Sequence, residues 1–132
     1  MPVKIILDSN FLLVPAQLKI DVFEGLMNLL NRNYESIVLS TTIDELRSLM
    51  TKGSPKLRKQ AEMALKLAEK CDLINVDRRR GETNDDVIIR VAKQMKCLVA
   101  TNDSELKKRL RNISAPVVYV RQKSRLELEG SL

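Results

Sequence analysis

Apolar residues in this chain come in short unbroken runs, separated by stretches in which they recur every three or four positions. The runs VKIIL (3–7), SIVLS (36–40), DLINV (72–76), CLVAT (97–101) and VVYV (117–120) are about strand length and rich in Val and Ile. They are continuous rather than alternating, which is the pattern of strands buried on both faces of a parallel sheet. Between them, Val22, Phe23, Leu26, Met27 and Leu30 share one helical face, as do Ile43, Leu46 and Met50. The same spacing recurs at Leu57, Ala61, Ala64, Leu65 and Ala68, at Ile88, Val91, Ala92 and Met95, and at Leu106, Leu110 and Ile113. Strands that alternate with helices predict an α/β domain whose mostly parallel, five-stranded sheet is covered on both faces.

Local signals refine the boundaries. Ser54-Pro55 is a cap followed by a first-turn proline, and Thr42-x-x-Glu45 has the form of a capping box. The ending RLELEG alternates Leu126 and Leu128 with charges, a pattern that suits an edge strand or an arm against a second chain, with a disordered tail as the alternative. Residues 121–132 are read as part of the same domain as residues 1–120.

Composition narrows the function classes. At 132 residues, 44% hydrophobic and 30% charged, the chain has the size of one domain with its own core. Its apolar runs fall far short of the roughly 20 residues that span a membrane, and it opens without a signal-peptide pattern, so a cytoplasmic location is expected. Cys71 and Cys97 form no CxxC pair and read as two buried free thiols. Histidine is absent, which excludes Ser-His-Asp hydrolysis, His-based phosphodiesterases and imidazole-bound zinc. The net charge of +6 favours a polyanionic partner, with nucleic acid the commonest.

In an open parallel sheet, ligands bind along the carboxyl edge of the strands. The acids fall there. Asp8 ends the first run, Asp44 and Glu45 open the helix after the second, Asp85 and Asp86 open the helix before the fourth, and Asp103 and Glu105 follow the fourth in ATNDSEL. Asp85 reaches that edge only if the segment following DLINV ends there. Each acid alone has a local explanation as a cap or a helix-dipole partner. Several like charges converging on one edge, however, repel one another unless protonated or joined to a cation. With oxygen donors only, that cation is hard, Mg²⁺ or Mn²⁺, and such an ion polarises a phosphoryl oxygen and activates water without histidine.

The segments ILDSN (6–10), TIDEL (42–46), TNDDVI (83–88) and VATNDSEL (99–106) resemble, in order and spacing, the four acidic motifs of PIN domains, over roughly the whole chain. DSNFLLVP, KKRLRNI and RQKSRLELEG are similar to segments of archaeal PIN proteins akin to the small-subunit rRNA-processing nucleases; the short toxin ribonucleases of toxin–antitoxin pairs share the motifs. The resemblance implies a three-layer α/β/α sandwich and a Mg²⁺- or Mn²⁺-dependent endoribonuclease acting on single-stranded or loop RNA. It further implies catalytic roles for Asp8, Glu45, Asp85 and Asp103, with Asp8, Asp85 and Asp103 holding the metal. Asn10, Thr101, Glu105 and Asp86 would support that set. The pair Asp85-Asp86 leaves the register of the third acid open; Asp85 is preferred because Ile88 and Ala92 then take the apolar positions that follow it.

Basic residues gather at Lys52, Lys56, Arg58 and Lys59, at Arg78, Arg79 and Arg80, at Lys107, Lys108, Arg109 and Arg111, and at Arg121, Lys123 and Arg125. Lys52, Lys56, Arg58, Arg79, Lys107, Lys108 and Arg109 are the candidates for RNA phosphate contacts, which supply affinity and salt dependence rather than sequence reading. Among four aromatic residues, Phe11, Phe23 and Tyr119 read as core and Tyr34 as the one base-stacking candidate. Expected partners are RNA, a second copy of the chain, and a ribosome-assembly or antitoxin protein. Two readings compete. A receiver-like switch needs a phosphoacceptor Asp ending its middle strand and a Lys near the last, and neither DLINVD nor VVYVRQK supplies them. A non-catalytic RNA-binding assembly factor shares every basic cluster and needs no metal.

Overall fold

The structure is a computed structural model that describes residues 2–31 and 33–131. Its sheet has six strands in the order β3-β2-β1-β4-β5-β6. They are β1 Val3–Leu7, β2 Tyr34–Leu39, β3 Asp72–Ile74, β4 Leu98–Ala100, β5 Val117–Arg121 and β6 Arg125–Glu129. The first five run parallel, and β6 returns antiparallel beside β5. Helices α1 Ser9–Leu12, α2 Val14–Leu18, α3 Val22–Leu30, α4 Ser40–Lys52, α5 Pro55–Ala68, α6 Asn84–Met95 and α7 Ser104–Asn112 complete the chain.

Strand side chains alternate between faces, so each strand feeds two cores. Ile5, Leu7, Val38 and Ala100 pack with α1 to α5, whereas Ile6, Ile37, Leu39 and Val99 pack with α6 and α7. The result is the expected three-layer α/β/α sandwich. The sixth strand is the difference from five: the alternating RLELE segment is the edge strand that its pattern allowed. It docks closely on α3, where a Cβ on Gly25 would stand 2.7 Å from Leu126 Cδ1.

DLINV is shorter than its run and lies at the opposite edge, with Leu73 55% exposed, rather than at the centre. An apolar run of three residues does not distinguish an edge from a buried position. The two short helices α1 and α2 arise in FLLVPAQL, which has no helical period long enough to show. Ser54 caps α5 as expected, its Oγ accepting from Leu57 N at 3.2 Å. The Thr42-Glu45 capping box does not form: α4 begins at Ser40, which puts Asp44 and Glu45 in its second turn. A capping box occurs instead at Thr83 and Asp86, opening α6.

From β1 the chain crosses to β2 on one side, and β4 joins on the other, so the neighbours β1 and β4 define the point where the strand order reverses. Their carboxyl ends open the crevice in which α/β sheets bind ligands.

Candidate active site

Asp8 leaves β1 at this crevice and is only 4% exposed. Its backbone N–H donates to Ala100 O at 3.0 Å, joining the ends of β1 and β4. The carboxylate is held on both oxygens: Oδ1 accepts from Ser9 N at 2.8 Å, and Oδ2 accepts from Thr101 Oγ1 at 2.8 Å and Asn10 Nδ2 at 3.0 Å. Thr101, fully buried, also accepts Asp103 N at 3.1 Å, so one hydroxyl ties the first acid to the start of the loop that carries the last. Asn10 and Thr101 therefore both hold the Asp8 carboxylate.

Electrostatics bring the other acids to the same place. Burial pushes the Asp8 carboxyl up to about 6; the Thr101 and Ser9 hydrogen bonds oppose this, and the charges of Glu45 and Asp85 add to it. Asp85 is also raised, first by burial and then by Asp103 and Glu45, with Arg109 opposing. Asp8 thus feels Glu45 and Asp85, and Asp85 feels Glu45 and Asp103, across the crevice. Asp85 reaches it because the segment after β3 does return to the carboxyl edge. Ser40 Oγ accepts Val76 N at 2.9 Å and donates to Val76 O at 3.2 Å, clipping that segment to the start of α4.

The adjacent acids of α6 part ways. Asp86 accepts Thr83 N at 2.9 Å on one oxygen and pairs with Arg109 at 2.7 Å through the other, interactions that hold its carboxyl below the usual range. Asp85 faces carboxylates; Asp86 closes a cap and an ion pair. Asp103 does two things, since its Oδ1 caps α7 through Leu106 N at 2.9 Å. Glu105 is not gathered in: it points to solvent beside Lys108, 3.8 Å away. Among the described residues, no three Asp, Glu or Cys side chains form a closed ligand set.

Several sequence expectations for RNA contacts meet other uses. Arg109 is committed to Asp86, and Lys107 Nζ lies 4.0 Å from the centre of the Tyr119 ring. Arg58 Nε donates to Gly53 O at 2.8 Å, while Lys52 and Lys56 stand exposed at the turn between α4 and α5. Arg79 N–H donates to Glu82 at 2.7 Å in a loop that Arg90 braces through a two-pronged bond to Glu82 at 2.9 and 3.0 Å. Tyr34 begins β2, at the edge away from the acids, and its hydroxyl donates to Phe23 O at 3.0 Å. It is a structural tyrosine, not a stacking platform at the crevice. Phe11 is buried, Phe23 and Tyr119 are partly buried, Cys97 is a buried thiol and Cys71 a half-buried one.

Two residues escaped the sequence reading. Asn102 N–H donates to Asn10 Oδ1 at 2.9 Å, and its own Oδ1 accepts Val120 N at 2.8 Å, linking the acids' loop to β5. Thr41 Oγ1 is the one buried side-chain polar atom without a partner among the described residues. It lies one turn before Glu45 on the same face of α4. Asn between Thr and Asp after a strand reads as ordinary loop, so only its partners reveal Asn102.

Residues 5–123 match the model of the PIN like domain. The chain belongs to this PIN-like family. Among its relatives, ribonuclease VapC4 of Methanocaldococcus jannaschii is 34% identical, covering 96% of this chain and 97% of that protein. The rRNA-processing protein FCF1 of Saccharomyces cerevisiae is 32% identical over 85% of this chain, which spans only 56% of that longer protein. The solved PIN domain endonuclease Utp24 superposes with a TM-score of 0.82 at 32% identity, over 99% of this chain and 94% of that one. The fold and the family resemblance are thereby shown. Among the described residues, no helix is long and apolar enough to cross a membrane.

Proposed function

We propose that this PIN-like chain is a divalent-metal-dependent endoribonuclease that hydrolyses phosphodiester bonds in single-stranded or loop RNA, in rRNA processing. The observation that carries the reading is the buried Asp8 carboxylate, raised to about 6 while facing the charges of Glu45 and Asp85. Such an arrangement is costly for a folded protein on its own and is relieved by a cation. The donors suit a hard ion: they are all oxygens, and the unpartnered Thr41 hydroxyl lies on the Glu45 face of its helix.

Asp8, Asp85 and Asp103 are the residues that would hold the ion, whose contribution is to polarise the phosphodiester and neutralise its charge. Thr101 and Asn10 keep the Asp8 carboxylate in one orientation through their two bonds to Oδ2. Half-buried Glu45, on the neighbouring helix, would orient the attacking water. Asp86 and Arg109 would fix the start of α6 so that Asp85 faces inward. Lys52, Lys56, Arg79 and Lys108 remain exposed and would meet flanking phosphates.

Likeness to Utp24 and FCF1 supports an rRNA substrate. The near-complete mutual coverage with VapC4 supports a second reading as a toxin-type ribonuclease held by an antitoxin protein. A fluorescent single-stranded RNA incubated with Mn²⁺, Mg²⁺ or EDTA tests the activity, with Asp8→Asn and Asp103→Asn purified in parallel. Cleavage that needs the metal and vanishes in both variants is expected. Cleavage that persists in EDTA or in Asp8→Asn overturns the reading, and RNA binding without cleavage by any protein transfers it to an assembly factor.

A further inference from the structure

β5 runs parallel to β4, and β4 to β1, so the Arg121 end of β5 emerges at the same sheet edge as Asp8 and Thr101. There the chain reverses through Gln122, Lys123 and Ser124, and Arg125 pairs back across from Arg121. Gln122 and Lys123 both adopt left-handed backbone, with φ of 54° and 56°. Consecutive residues of this kind make the tight hairpin turn that asparagine and glycine form most easily. This chain places a lysine there instead, between two arginines, so three cations occupy five positions at the tip.

Their neutralisation is incomplete. Glu127 is the shared carboxylate, 3.1 Å from Arg121 and 3.9 Å from Arg125, and it also accepts the Tyr119 hydroxyl at 3.0 Å. Lys123 has no ion pair among the described residues. Three of the α7 cations, by contrast, are engaged: Arg109 by Asp86, Arg111 by Glu129 and Lys107 by the Tyr119 ring. The tip is also anchored to the acids. Asn102, between Thr101 and Asp103, accepts Val120 N at 2.8 Å and donates to Asn10, which touches Asp8.

We propose that the cationic tip of the β5–β6 hairpin is a guide for the phosphates of a single RNA strand, and that Asn102 is a positioning residue that sets the guide in register with Asp8. The guide rests on the nuclease reading only for what happens to the strand once bound. Lys123, the tip cation without an ion pair among the described residues, is a compact point charge on a flexible stem, which suits phosphate contact rather than base reading. The left-handed turn fixes where those charges stand, so the strand's course relative to the Asp8 crevice is a property of the fold.

The test uses the full chain in EDTA and a fluorescein-labelled single-stranded RNA of mixed sequence, with anisotropy read across a salt series. Lys123→Gly removes the charge while suiting the left-handed turn, Lys123→Arg restores it, and Lys93→Ala, in the last turn of α6, removes one charge elsewhere. Lys123→Gly should weaken binding and make the log–log salt slope shallower by about 0.7, the value for one phosphate contact to a single strand. Lys123→Arg and Lys93→Ala should match the wild type.

For Asn102, hydrogen exchange at the Val120 amide in EDTA and the cleavage pattern with Mn²⁺ are read together. Asn102→Ala should speed exchange at Val120 and spread cutting over neighbouring bonds while affinity holds. Asn102→Asp, which keeps the acceptor, should protect Val120 again, so a general loss of fold is recognised. Equal losses in Lys123→Gly and Lys93→Ala overturn the guide, as does a Lys123 effect on a glutamate-rich peptide but not on RNA. Unchanged Val120 exchange and an unchanged cut pattern in Asn102→Ala overturn the register. Because binding is read in EDTA, where no cleavage is expected, absence of cleavage once Mn²⁺ is added would count against the nuclease reading and leave the guide standing on its own result.

Discussion

At the end of β1, Asp8 is buried against the charges of Glu45 and Asp85, and its carboxyl is raised. On the β5–β6 hairpin, Glu127 lies against Tyr119, Arg121 and Arg125, and its carboxyl is lowered; Glu129 pairs with Arg111 at 2.5 Å. Both regions place carboxylates on the same sheet. The hairpin satisfies its acids from within the chain, as surface acids ordinarily are. The crevice sets acid against acid in a chain with a net charge of +6, which has cations enough to do otherwise. That contrast is the reason for proposing that the crevice takes a cation the chain does not itself supply.

The largest break in the contrast is at Asp8. Asp8→Asn should lower cleavage by about a thousandfold or more, the scale of losing a group that acts with the metal. Asp85→Asn should follow it, whereas Asp86→Asn should mainly destabilise α6 by opening its cap and its Arg109 pair. Cleavage rates beside thermal melts separate the two. If Asp86→Asn loses cleavage with its melting point intact, the assignment of these neighbours is reversed.

The second effect is on pH dependence without metal. A carboxyl raised from 3.8 to about 6 in the folded state gives stability that is fully present below pH 3.8 and lost as pH rises through 6. The shift is worth about 3 kcal/mol in all at 1.36 kcal/mol per unit, and relative to Asp8→Asn the wild type should lose about 2 kcal/mol of it between pH 4 and pH 7. Urea titrations in EDTA at both pH values measure it. A constant difference between the two proteins would mean that Asp8 is not strained by burial and its neighbours.

Smaller effects are expected at the hairpin. Leu126→Ala, which empties the contact beside Gly25, should cost about 2 to 3 kcal/mol as a large-to-small core change. Glu127→Gln should change stability little, because its Arg121 and Arg125 partners are exposed and solvent screens them, while an amide oxygen can still accept the Tyr119 hydroxyl. A large loss from Glu127→Gln would show that the hairpin, too, stores its charges under constraint.

Much of this contrast was legible in the chain. Asp8 after VKIIL and Asp103 after CLVAT mark strand ends because the apolar run stops at an acid. The parallel α/β order follows from the alternation of run and stripe. What was not legible depends on partners. Arg109 was read as a phosphate contact, but Asp86, 23 positions earlier, holds it. Thr42 and Glu45 have box spacing, yet the helix starts three residues sooner, with Leu39 as its N-cap and Ser40 bound to Val76 in a distant loop. Thr83 and Asp86 have the same spacing, with Asp in place of the usual Glu, and could have been read as the box that settles which of the two neighbours is engaged. Tyr34 misled because an aromatic side chain carries no mark of the sheet edge on which it will lie.

The measurement that bears most directly on the account is the stability of wild type and Asp8→Asn at neutral pH, in EDTA and with Mn²⁺. The account predicts a crossing. Without metal, Asp8→Asn is the more stable; with Mn²⁺ at about a hundred times its Kd, the wild type gains about 2.7 kcal/mol and the variant gains little. If Mn²⁺ stabilises both equally, or neither, the carboxylates at the end of β1 are not a cation site, and the contrast with the hairpin has another cause.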